Sequence, residues 1–213
     1  MREVFQQSLA EVQERLVDIA ELVETSIADA TGAFGGSDVT RAESVIDGIE
    51  RIEELAAELD ELAIDILARQ QPVASDLRLV VGALRMSSSL ERMGDLAQHI
   101  AQLARYRYPE SAIPEGLSKT FVRMGALDVK MAGLIVELLR DQDSSLIDKV
   151  RDMDADLDEL HAKVFEKVLS DKLANNPTGV VDATLGSRYH ERFGDHAVKV
   201  AKQMQYFLSG SLD

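Results

Sequence analysis

The chain contains no cysteine and no tryptophan, only four prolines, and aromatic residues make up just 5% of its 213 positions. Without cysteine there is no disulfide, no thiolate metal site and no thiol nucleophile, and the absence fits a reducing compartment. No apolar run approaches the ~18 residues that a membrane-crossing helix needs. The start, Met1-Arg2-Glu3-Val4-Phe5-Gln6-Gln7, lacks the apolar core of a signal peptide, so a soluble cytoplasmic protein is expected. Basic residues are scarce: 23 Lys and Arg stand against 38 Asp and Glu, a formal charge of -15. That balance argues against nucleic acid and against adhesion to anionic lipid. It suits a solvated acidic surface, a basic protein partner or a sink for cations. No Gly-rich phosphate loop, Ser/His/Asp array or nucleophile elbow is visible, so catalysis has no obvious carrier.

What the chain does have is helical periodicity. Hydrophobic residues make up 46%, enough for a sizeable core. Pro72, Pro109, Pro114 and Pro177 fall between periodic stretches, where proline costs least. With breaks at Gly32, Gly35 and Gly36 and at Asp141-Gln142-Asp143-Ser144-Ser145, they divide the chain into six helices, at roughly 2–33, 38–70, 75–107, 115–140, 144–172 and 179–208. Ile46, Ile49, Ile52, Leu55, Leu59, Leu62 and Ile66 form one apolar seam in the second of these, with Glu50, Glu53, Glu54 and Glu58 interleaved. Ser75 or Asp76 is placed to cap the third. Met86, Met93, Met124, Met131 and Met153 read as core filler.

The informative feature is a repeat. Leu90-Glu91-Arg92-Met93-Gly94-Asp95-Leu96-Ala97 returns as His190-Glu191-Arg192-Phe193-Gly194-Asp195-His196-Ala197. Each copy puts two acids four residues apart on one helix face, where like charges repel, and a glycine mid-helix, which costs roughly 1 kcal/mol against alanine. The second and third helices resemble the fifth and sixth in order and length, with Glu53 set against Asp158. The chain reads as all-α, two tandem, pseudo-symmetric three-helix bundles covering 1–109 and 110–213.

Carboxylate pairs on two packed helices can converge on a cation. The first set is Glu91 and Asp95 with Glu53 and Asp60; the second is Glu191 and Asp195 with Asp154 and Asp158. Oxygen-rich sets suit Mg, Mn or Fe, while a nearby histidine pulls toward Fe, Zn or Ni. Two plainer readings stand beside this one. The acids could simply pair with Arg92, Arg192 and their neighbours, and Gly94 and Gly194 could only let helices approach closely. A ferritin-type di-iron oxidase needs Glu-x-x-His twice. Only Asp158-x-x-His161 is present, so a redox bundle is disfavoured. His161 is the best ligand candidate of the four histidines. Arg78, early in a helix where the dipole disfavours a cation, is expected to meet an acid or a partner protein.

Taken with Gln71-Pro72-Val73-Ala74-Ser75-Asp76-Leu77-Arg78, the two Glu-Arg-x-Gly-Asp segments make the chain resemble the PhoU family of phosphate-specific transport accessory proteins over essentially its whole length. The resemblance implies a PhoU-like pair of three-helix bundles. It implies multinuclear metal clusters on Glu91, Asp95, Glu191 and Asp195. It also implies a non-catalytic negative regulator of phosphate uptake and of phosphate-regulon signalling, linking the transporter ATPase PstB to the sensor kinase PhoR. Such a protein is peripheral to the membrane only through its partners and is compatible with a homodimer. Asp76, Arg78, Arg92 and Arg192 are the candidate partner contacts. The family often has an acid where Ile49 and Ala56 stand here, which predicts a thinner first cluster. The contrasting function is a metal-storing or metalloenzyme bundle using the same carboxylates, and a third is a plain structural bundle without any ion.

Overall fold

A computed structural model describes residues 2–170 and 175–211. Among them are six α-helices and no strand: α1 (Arg2–Gly36), α2 (Val39–Gln70), α3 (Ala74–Arg107), α4 (Ser118–Asp141), α5 (Leu146–Val168) and α6 (Pro177–Ser209). None is long and apolar enough to cross a membrane. The seam of α2 goes inward as expected, with Ile52, Leu55, Leu59 and Ile66 buried and Glu50, Glu53, Glu54 and Glu58 exposed. Asp38 caps α2 by accepting from the Arg41 backbone N–H at 3.1 Å. Asn176 caps α6 through the Gly179 N–H at 2.9 Å, with Pro177 in the first turn.

Several boundaries differ from the sequence expectation, each for a local reason. The glycines near the end of α1 do not break it. Ala33 and Phe34 are buried there, and the helix stops only where Ser37 turns left-handed at φ 53°. Gly32 serves a different purpose: a Cβ at that position would lie 2.2 Å from the Arg41 guanidinium, which crosses α1 to reach Asp29 at 2.7 Å. Helix α3 starts one residue before the expected caps, so Ser75 and Asp76 fall inside its first turn, and Val73 holds the cap position without a side-chain bond. Helix α4 begins at Ser118 rather than near 115 because Gly116 takes φ +83°. Helix α5 ends at Val168, and of the four further residues expected in it, 171–172 lie outside the described residues.

The helices form two three-helix bundles, α1–α2–α3 and α4–α5–α6, joined where α1 packs on α4 and α3 packs on α6. Both junctions are antiparallel. Along α3 and α6, Arg107 meets Asp182, His99 meets Tyr189, and the Arg78 guanidinium comes within 3.7 Å of the Cβ position of Gly210. Along α1 and α4, Thr31 lies against Gly125 and Gln13 bonds to the Leu139 carbonyl. The apolar interior is one continuous cluster drawn from all six helices, so the bundles share a core. The Arg107–Asp182 pair, bidentate at 2.6 and 3.0 Å with Asp182 buried, clamps them together. Neighbouring helices run α2, α3, α6, α5, which places the two repeated segments side by side between the outer helices.

Candidate metal centres and the seam between them

The repeated segments are oriented by their apolar residues. Leu90, Met93 and Ala97 of α3, and His190, Phe193 and Ala197 of α6, are buried. At 3.6 residues per turn this turns Glu91 and Asp95 toward α2 and Glu191 and Asp195 toward α5. Both glycines mark close helix approach. A Cβ on Gly94 would meet Ile49 Cδ1 at 2.9 Å and Ile52 Cδ1 at 3.1 Å. A Cβ on Gly194 would meet Asp154 Oδ1 at 2.7 Å and Leu157 Cδ2 at 2.8 Å. Ile49 therefore occupies in the first bundle the place that Asp154 holds in the second.

The acids named from sequence are brought together in two groups of four. Burial, reinforced by repulsion from Asp95, Glu53 and Asp60, holds the Glu91 carboxyl above its ordinary range, with Arg92 opposing. In the second group, burial and repulsion from Asp158, Asp195 and Glu191 push Asp154 up to about 6, against a pull from Lys202. Glu191 is also raised, first by burial, with Arg188 opposing and Asp195 and Asp158 adding to the rise. Every partner responsible for these shifts, apart from the three cations, belongs to the expected set.

The donor set is oxygen only, with four carboxylates a group and no sulfur, which fits hard and borderline divalent ions. The Gly194 notch, which seats the Asp154 oxygen against the α6 backbone, fits such a role too. As the side chains stand, no three His, Asp or Glu groups converge into a ready-made cage among the described residues. Two of the acids are engaged by arginine instead: Arg92 bonds to Asp95 at 2.8 Å, and Arg188 forks onto Glu191 at 2.5 and 2.6 Å. The expected Arg192 partnership is thus made by Arg188. These are pairs within one helix turn, each worth only a few tenths of a kcal/mol, too little to lock the carboxylates in place.

His161 does not join the carboxylates. Its Nδ1 lies 3.0 Å from Ser187 Oγ and its ring meets Phe165 edge-on. Arg78 packs at the C-terminal end of α6 beside Gly210, where the helix dipole favours a cation. Asp76 is half-buried in the first turn of α3, flanked by the exposed Val73 and Leu77. Arg92 and Arg192 are exposed and lie together with Asp95, Arg188, His99, Tyr189 and His196 around a cleft of about 410 Å³ between α3 and α6. Burial and the positive charge of Lys199 and Arg192 lower His196 to about 4.

Sequence reasoning missed one pair. Asp128 of α4 and His190 of α6 are both buried and meet at 2.5 Å. Burial pushes Asp128 up to about 6, with His190 pulling the other way. The ring of His190 also lines a largely apolar cleft of about 450 Å³ with Phe34 and Phe121. The available signal was an acid on the apolar stripe of α4, between Met124 and Met131, where a solvated face has no reason to place one.

The PhoU domain model matches residues 16–104 and 121–204, one stretch in each bundle. The chain is 36% identical over 211 residues to the phosphate-specific transport system accessory protein PhoU homolog 2 of Mycobacterium tuberculosis, covering 99% of each chain. It is 35% identical to homolog 1 of Mycobacterium leprae, covering 99% of this chain and 95% of that one. Among solved structures, PhoU from Pseudomonas aeruginosa superimposes with a TM-score of 0.91 at 28% identity, covering 97% of this chain and all of the other. The phosphate transport system regulatory protein PhoU from Streptococcus pneumoniae shares the fold, at TM-score 0.86 and 22% identity.

Proposed function

This chain belongs to the PhoU family of phosphate-transport accessory proteins, and from that premise we propose that it is a non-catalytic, cytoplasmic, metal-binding negative regulator of phosphate homeostasis. It restrains phosphate uptake and phosphate-regulon signalling by linking the ATPase PstB of the phosphate transporter to the sensor kinase PhoR. The observation that carries the reading is the pair of four-carboxylate groups on adjacent faces of a PhoU fold. Divalent or trivalent ions, with Mg, Mn, Fe and Zn as candidates, neutralise Glu53, Asp60, Glu91 and Asp95 in one bundle and Asp154, Asp158, Glu191 and Asp195 in the other. A bound ion supplies charge neutralisation that no arginine in reach matches. The residues hold α3 against α2 and α6 against α5 in a fixed geometry.

Contact with the partners falls on the acidic outer faces and on the turn between α2 and α3. There Val73 is 72% exposed and Leu77 is 41% exposed beside Asp76, a small apolar patch with a charged rim. The test uses the full chain, metal-loaded or chelated, with purified PstB and PhoR. Binding to both is expected, weakened by chelation and by Val73→Glu with Leu77→Glu. No binding to either partner, together with oxygen or peroxide turnover by the loaded protein, would replace this reading with a metal-storing or metalloenzyme bundle.

A further inference from the structure

A chain carrying a formal charge of -15 concentrates three arginines at one place. Arg92, Arg188 and Arg192 surround the cleft between α3 and α6, together with His99, Tyr189 and His196, and Asp95, paired with Arg92, is the acid in its wall. The antiparallel pairing of the two helices brings this about, since it sets the two repeated segments next to each other and puts Arg92 and Arg192, the same position in each copy, on one opening. Arg92 is held by Asp95 at 2.8 Å and Arg188 by Glu191 at 2.5 Å, whereas Arg192 has no acid within ion-pair distance among the described residues.

The floor of the cleft is as unusual as its rim. His196 is only 8% exposed, and neither of its ring nitrogens has a hydrogen-bond partner. His99 Nδ1 is likewise buried without a partner, with its ring tilted against Tyr189 at 5.1 Å. Buried polar atoms are rarely left unmatched; each neutral imidazole has one N–H to donate, and beneath three guanidiniums a ligand with several acceptor oxygens takes up those donors. The equivalent of His196 in the first copy is Leu96, buried to the same degree (8% against 7% exposed), so burial alone does not call for a histidine here.

We propose that this cleft is a binding site for a small tetrahedral oxyanion of the phosphate class. Arg192 and Arg92 supply charge-assisted donors from opposite walls, and His196 and His99 supply donors from below. The volume of about 410 Å³ exceeds what a bare ion fills and leaves room for an ester substituent. The site is distinct from the carboxylate groups except at Asp95, which lines the cleft, and does not depend on metal. It is linked to them, because drawing Asp95 and Glu191 onto a cation releases Arg92 and Arg188 to the anion.

The experiment titrates inorganic phosphate, and separately glycerol 3-phosphate, into the full metal-free chain at constant ionic strength. Imidazole NMR resonances of His196 and His99 report on the cleft, with His161 as reference. Saturable shifts at His196 and His99 but not at His161 are expected, with affinity falling about tenfold in Arg192→Gln and partly restored in Arg192→Lys. The tighter of the two probes identifies the source as free ion or ester. Three results would overturn the proposal: equal shifts from chloride, unchanged affinity in Arg192→Gln, or binding that appears only with added metal. In the last case the anion sits on the ions. Arg192 is exposed, so its variants fold, and a circular dichroism melt verifies this.

Discussion

The two bundles share a backbone plan and differ in what they bury. Leu90 and His190 are equivalent and equally hidden, at 0% and 1% exposure. Leu96 answers to His196, and Ile49, against Gly94, answers to Asp154, against Gly194. At three matched positions the first copy carries a hydrocarbon and the second an ionisable group. Burial was retained while chemistry was added, and each addition needed a new neighbour: Asp128 for His190, the acidic group around Asp154, the arginine cleft around His196. The fold tolerates either residue at the same depth.

Making the second half resemble the first breaks the contrast most severely at His190. His190→Leu strands the Asp128 carboxylate in a dry interior, and losing one member of a buried pair costs about 3–5 kcal/mol. Urea unfolding measures it. Adding Asp128→Leu recovers most of the loss, because the charge and its partner are then both gone. A double variant no better than the single would show that the pair does more than satisfy itself.

The carboxylate groups come next. Asp154→Ile puts at the matched position the residue that the first bundle carries and lowers the affinity of the second group for Mn about tenfold, while Ile49→Asp raises that of the first by a similar factor, since ligand charge sets the strength of such sites. Calorimetric titration of both variants reads the two effects. Equal affinities throughout would mean that Ile49 and Asp154 are not where the bundles differ as ion sites.

Acidity sharpens the comparison with opposite signs. Asp154 has a folded pKa of about 6, above its unfolded value, so its contribution is present below about pH 4 and is lost as pH rises through 6. His196 has a folded pKa of about 4, below its unfolded value, so its contribution is present above about pH 6.5 and is lost as pH falls toward 4. In chelator, relative to the parent, Asp154→Asn therefore gains stability as pH rises from 4 to 7, and His196→Leu gains as pH falls over the same span. Each change is about 1 kcal/mol once partial exposure is allowed for. Melting temperatures across that range would show the two slopes; parallel slopes would be inconsistent with both assignments.

The smallest effect separates the glycines. Gly94→Ala presses on isoleucine methyl ends, which yield, and the helix-propensity gain of about 1 kcal/mol leaves it near neutral. Gly194→Ala presses on the Asp154 carboxylate and Leu157 and costs about 1 kcal/mol net, with weaker ion binding in the second bundle. A thermal melt with and without Mn distinguishes them.

Much of this was legible in the sequence. The proline, glycine and Asp-Ser breaks placed all six helices, and the repeated acid-glycine-acid segment put its two acids on one face of each helix, because spacing along one helix determines which face a side chain occupies. The misjudged ends, at Ser37, Gly116 and Val73, turn on single backbone torsions or on which neighbours bury a residue. Asp128 was overlooked since one acid on an apolar stripe looks like noise until His190 arrives from 62 positions away. The arginine cleft was hidden in the same manner: Arg92 and Arg192 were visible singly, inside a chain whose total charge points the other way.

Local features follow from side-chain type and a period of 3.6 residues: which stretches are helical, which face each helix turns inward, and that the acids recur in pairs. What lies across from what is set by the packing of helices on one another. The antiparallel contact of α3 with α6 joined the two copies of one motif at a seam, and the packing of α5 on α6 seated Asp154 against Gly194. Such contacts depend on the mutual fit of surfaces far apart in the chain, where periodicity carries no information.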